Sequence, residues 1–168
     1  LFRLMFLLFR NNHVFSVVFA SNMKRDYTLY PSTIGGQPGV VWFFNDSETV
    51  IPFDDSTPLT VQGEACTNAS LCVWYTSPLI PLNDGSSTQF ALLGEQNKWT
   101  AVSRQRFSSI EVSAQTKEAT VTVEGVANEI VPVIVYHSVL LSLTINCPIS
   151  SVNGQAKLVV STSNVVCS

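Results

Sequence analysis

Val139, Leu141, Leu143 and Ile145 alternate with Ser142, Thr144 and Asn146. A period of two puts all the apolar side chains on one face of an extended chain, which defines a half-buried strand. The pattern recurs through the second half. Val121 and Val123 alternate with Thr120, Thr122 and Glu124 before Gly125, and Ile110 and Val112 share one face. Val131, Val133 and Val135 alternate with Ile130, Pro132, Ile134 and Tyr136, so both faces of that strand are apolar. Proline removes a ladder donor, which places Pro132 on an edge strand or at a bulge. Earlier, the runs His13 to Ala20, Asp26 to Tyr30, Val40 to Phe44, Thr49 to Phe53, Leu71 to Thr76 and Gln89 to Leu93 read as strands. Turn signals lie between them at Gly35 to Gly39, Asp54 to Pro58 and Asn83 to Ser87. No helical period of useful length follows residue 12. Short strands separated by turns imply an all-β fold, an antiparallel two-sheet β-sandwich over residues 13–168.

Only 12% of the 168 residues are charged while 46% are hydrophobic, so the chain is a packed domain rather than a disordered one. Net charge is -3 and no basic cluster exceeds Lys24-Arg25, which argues against nucleic acid as a partner. Residues 1–12 form an apolar segment, with Leu4 to Phe9 ended by Arg10. It is too short to span a bilayer. It reads as a signal remnant, as the end of a preceding domain, or as an edge element of this one.

The four cysteines, Cys66, Cys72, Cys147 and Cys167, suit two disulfides. Cys66 and Cys72 bracket a polar loop with a glycosylation acceptor at Asn68, and a second acceptor stands at Asn45. Asn153-Gly154 is a hairpin signal that brings Cys147 and Cys167 together across the last hairpin. These features point to a secreted or luminal protein. No CxxC spacing exists, and His13 and His137 are far apart, so neither a metal nor another cofactor is expected.

No nucleophile elbow or His/Cys pairing suggests catalysis. Asp54-Asp55, Glu95 and Glu111 are the carboxylates to weigh for glycoside hydrolysis, but Asp54-Asp55 before Ser56-Thr57-Pro58 reads as a solvated turn. Trp42 and Trp74 fall in strands and read as core. The segment from Leu92 to Val112 is different. In a charge-poor chain it gathers Glu95, Lys98, Trp99, Arg104 and Arg106. An exposed Trp can stack on a sugar, and an arginine pair can hold carboxylates in two-pronged fashion. The competing reading pairs the arginines with Glu95 and Glu111 or with a neighbouring domain.

Three motifs carry a family resemblance: FASNMKRDYTLYP from Phe19 to Pro31, LLGEQNKW from Leu92 to Trp99 continuing through VSRQRF to Phe107, and VEGVANEI from Val123 to Ile130. Their order resembles the β-sandwich region that follows the catalytic barrel in α-glycosidases of the α-galactosidase and raffinose-synthase type. The resemblance implies a glycoside hydrolase parent whose catalytic residues lie in the barrel, so none is assigned to this chain. It also implies an accessory, non-catalytic domain that packs on its catalytic partner through the segment from Glu95 to Phe107. The alternatives are a free-standing glycan- or protein-binding module and a structural or adhesion domain. Alkylation under denaturing, non-reducing conditions is expected to leave the intact mass unchanged, whereas four adducts would refute the disulfide assignment.

Overall fold

The computed structural model describes residues 2–8, 13–44, 46–66, 71–83, 85 and 87–168, with backbone only at 2–8, 47 and 48. The chain is all-β, and every strand pairing is antiparallel. It divides into two compact units, one holding residues 2–8 and 13–79, the other residues 80–168. Among the described residues, no helix is long and apolar enough to cross a membrane.

The first unit contains β1 (Phe2–Leu8), β2 (Val14–Ala20), β3 (Tyr27–Leu29), β4 (Gly39–Phe43), β5 (Asp46–Phe53), β6 (Leu59–Val61) and β7 (Cys72–Pro78). Five strands form one sheet in the order β1-β2-β7-β4-β5, and β3 pairs with β6 as a ribbon. The apolar N-terminal run is therefore an outer strand, in register with β2 from Phe2 opposite Ala20 to Leu8 opposite Val14. Alternation sends Val18 and Ala20 of β2, Val41 of β4 and Phe53 of β5 to one face, where Leu29, Leu59, Val61 and Ile34 pack on them. The Cys66–Cys72 disulfide closes this core. On the opposite face Val17, Tyr75 and Trp42 form one cross-strand row. The Trp42 and Tyr75 rings stack there with centroids 5.3 Å apart. Burial raises the Tyr75 phenol to about 12. Both Trp42 and Trp74 serve packing, Trp74 as a partly buried neighbour of the core.

The second unit is a sandwich of two four-stranded sheets. Its strands are β8 (Ile80–Pro81), β9 (Gln89–Glu95), β10 (Phe107–Ser113), β11 (Glu118–Glu124), β12 (Ile130–His137), β13 (Leu141–Pro148), β14 (Gln155–Val160) and β15 (Val165–Cys167). One sheet runs β10-β11-β14-β15 and the other β13-β12-β9-β8. Ala119, Val121 and Val123 of β11 stand opposite Val160, Leu158 and Ala156 of β14, and all six are buried. Phe90, Leu92, Val131, Val133 and Val135 bury the facing side.

Two expectations need correction. Pro132 lies in β12, an interior strand between β13 and β9. It is tolerated because the β9 ladder ends at Val133 opposite Glu95. Beyond that point Pro132 meets a loop, and its carbonyl accepts the Gln96 N–H at 2.9 Å. The bulge expected with it does occur nearby, where the register shifts between Ile134 and Val135. The Asn153-Gly154 turn also forms, with Gly154 at φ +68°, but it is no hairpin. It hands the chain from β13 in one sheet to β14 in the other. The Cys147–Cys167 disulfide, from β13 to β15, therefore ties the two sheets together. His137 makes a second tie. It is fully buried; its Nδ1 accepts the N–H groups of Val139 and Leu140, so Nε2 carries the hydrogen and donates to the Ser161 carbonyl at 2.9 Å.

The two bridges close loops of different length, with sequence separations of 20 for Cys147–Cys167 and 6 for Cys66–Cys72. Loop-closure entropy gives about 3 kcal/mol for the longer and about 2 kcal/mol for the shorter. The double variant Cys147→Ala/Cys167→Ala is expected to lower the urea midpoint more than Cys66→Ala/Cys72→Ala. Equal or inverted midpoints would show that loop length does not set the order.

Candidate functional site

The Glu95–Phe107 segment is shaped by backbone constraints before any side chain acts. Gly94 ends the regular part of β9 at φ +107°, a conformation that favours glycine. A Cβ there would run into the Ala101 carbonyl. The close approach lets the Glu95 N–H donate to that carbonyl at 2.7 Å, while Asn97 turns the chain at φ 60°. Ala101 and Val102 are buried and anchor the returning arm. Next, the Ser103 carbonyl accepts the Phe107 N–H at 2.8 Å and the Arg106 N–H at 3.2 Å. This tight turn delivers Arg106 to the start of β10, where its carbonyl accepts the Glu124 N–H at 2.7 Å.

All five N–H donors of the Arg106 guanidinium are engaged. Nε donates to Glu95 Oε2 at 2.8 Å, and Nη2 to Glu95 Oε1 at 3.4 Å and Glu129 Oε1 at 2.9 Å. Nη1 donates to the Glu124 carbonyl at 2.7 Å and Glu129 Oε2 at 3.0 Å. Planar two-pronged contact with two carboxylates is geometry that arginine alone supplies. Glu129 Oε2 also accepts the Val126 N–H at 2.9 Å. Gly125 makes room: a Cβ there would collide with Glu129, with Arg106 and with Ile149. Hydrogen bonds from Arg106, then from the Val126 N–H, hold the Glu129 carboxyl below its ordinary range. The Glu129 carboxylate in turn raises Arg106, against the effect of desolvation.

The expected site residues thus separate into two groups. Arg106 and Glu95 meet, as one reading of the arginine pair required. The second carboxylate is Glu129, not Glu111, which lies exposed on β10. Glu129 escaped notice because nothing in VEGVANEI marks it; the Val126–Glu129 turn that aims it at Arg106 is a tertiary outcome. Lys98 reaches Glu95 Oε1 at 3.7 Å with its side chain 57% exposed, and Arg104 is exposed. Trp99 is 55% exposed. It borders a depression of about 720 Å³, with Lys98, Thr100, Ser103 and Gln105 around it and the Arg106 cluster in its wall. Asn45 and Asn68 lie outside the described residues.

Elsewhere, Asp54-Asp55 is a turn. Asp54 Oδ1 accepts the Ser56 and Thr57 N–H groups and the Ser56 hydroxyl, at 2.6–2.8 Å. Those bonds lower its carboxyl to about 2. Asp55 Oδ1 instead accepts the Ser32 hydroxyl at 2.9 Å.

Arg106→Met leaves two carboxylates facing each other and is expected to cost about 2–3 kcal/mol, less than a fully buried pair because the group is partly exposed. Arg106→Lys should recover only part of this, since an ammonium lacks the planar fork. Glu129 is depressed in the fold, so its contribution is present above pH 4.5 and is lost as pH falls through its lower folded value. Urea unfolding of wild type and Arg106→Met should therefore converge in acid. A gap that persists there would remove the electrostatic account. No protein-family model and no curated protein matches this chain.

Proposed function

We propose that the chain is a non-catalytic β-sandwich module of a secreted carbohydrate-active protein and that it holds saccharide at the Trp99 depression. One contrast carries this reading. Arg106, Glu95 and Glu129 are committed to one another in the wall of the depression, and Trp99 is 55% exposed at it with Thr100, Ser103 and Gln105. An indole face can cover the apolar C–H face of a pyranose while hydroxyl and amide side chains meet its hydroxyls. Hydrolysis asks for something else: one carboxyl held protonated beside one held ionised. Glu129, pinned as a carboxylate by Arg106, is unsuited to give up a proton. The accessory role rests on the resemblance of the three motifs to the β-sandwich region of α-glycosidases. The two disulfides fit an oxidising compartment. The exposed cation Lys98, which lines the same depression as Trp99, favours a second reading, in which this face packs on the parent's catalytic domain.

Calorimetric titration with a panel of neutral oligosaccharides tests the first reading. Saturable binding is expected, weakened at least about tenfold by Trp99→Ala with the melting temperature unchanged. No binding across the panel, with Trp99→Ala silent, would sink the saccharide reading. Hydrolysis of aryl glycosides that Glu129→Gln abolishes would overturn the non-catalytic assignment.

A further inference from the structure

The outer edge of β13 stands apart from the other sheet edges. An outer strand presents unpaired N–H and C=O groups that template pairing, and proteins shield it with charge, proline or brevity. Among the described edges, β1 carries Arg3, β5 carries Asp46 and Pro52, and β10 carries Glu111. Strands β8 and β15 have only two and three residues. β13 has eight residues, no charge, and proline only as its last residue.

Its backbone orientation follows from Pro132. The Pro132 carbonyl is directed at Gln96, on the β9 side, and so away from β13. Its register partner Asn146 therefore belongs to a non-hydrogen-bonded pair and turns its own N–H and C=O to the open edge. The period of two gives Thr144 the same orientation, and both residues are exposed. Leu143 and Ile145 share the inward face with buried Cys147 yet are only half-buried, and Leu141 is 63% exposed. Among the described residues no strand pairs with this edge of the layer.

We propose that β13 pairs antiparallel with β13 of a second copy of this chain, with the two-fold axis at Thr144, so that two four-stranded sheets become one of eight. Thr144 then exchanges two N–H···O bonds with its counterpart. Leu143 faces Ile145 and Ser142 faces Asn146, so apolar residues stay on one face and polar residues on the other. No charge meets its like. The same pairing covers the apolar flank that Leu141, Leu143 and Ile145 leave open.

Sedimentation velocity of the full chain over rising concentration is expected to show a reversible dimer. Thr144→Lys and Thr144→Glu each place like charges across the axis and should weaken it at least about fivefold. Because Thr144 is exposed, both variants should keep the wild-type melting temperature. Mixing them in equal amounts should restore the dimer as Lys meets Glu. A wild type that stays monomeric throughout would overturn the proposal. So would a dimer that neither variant weakens, or a mixture that stays monomeric.

Discussion

One guanidinium holds the loop-bearing end of the second unit together. Arg106 leaves the turn that opens β10, yet its donors end on Glu95 at the close of β9, on the Glu124 carbonyl at the close of β11, and on Glu129 in the turn before β12. Strands β9 and β12 belong to one sheet, β10 and β11 to the other. The same side chain therefore fixes the spacing between two layers and the paths of two loops. A charged group with fewer partners would be costly in this half-buried position; with all five donors met, the cost of desolvation is offset.

The local irregularities of the unit make sense as accommodations to that contact. Gly94 bends β9 so that Glu95 can turn back against the Ala101 carbonyl. Gly125 clears the volume in which Glu129 and Arg106 meet. Pro132 lies where the β9 ladder has already given way to the loop, so its missing donor leaves no gap. At the opposite end of β12 His137 joins the layers by a hydrogen bond, while the Cys147–Cys167 bridge, whose Cys147 stands opposite Val131, joins them by a covalent link at the near end. Neither histidine nor cysteine chemistry is left over for a reaction there.

The proposed function is that of a surface. The donors of Arg106 are fully engaged, and the wall it forms with Glu95 and Glu129 is polar, with two carboxylates to one guanidinium. Exposed Trp99 stands beside it, while Trp42 and Trp74 are absorbed into the packing of the first unit. The proposed saccharide reading rests on that exposed indole and its hydroxyl and amide neighbours rather than on charge.

Much of the fold was legible in the sequence, because period-two alternation is a local property. The runs around Val17, Val41, Trp74, Leu92, Val121, Val133 and Leu143 all became strands, and both cysteine pairs closed as spacing suggested. Alternation cannot say which sheet a strand joins, so Asn153-Gly154 looked like a hairpin and proved to be a crossing between layers. Very short strands such as β6, β8 and β15 carry too few residues to show a period. The candidate site was half legible. Composition alone drew attention to Glu95, Trp99 and Arg106, since charge is scarce in this chain. That Arg106 would pair with Glu129, 23 residues away, was decided only in three dimensions, where a turn, two glycines and two sheets bring the carboxylate to the guanidinium.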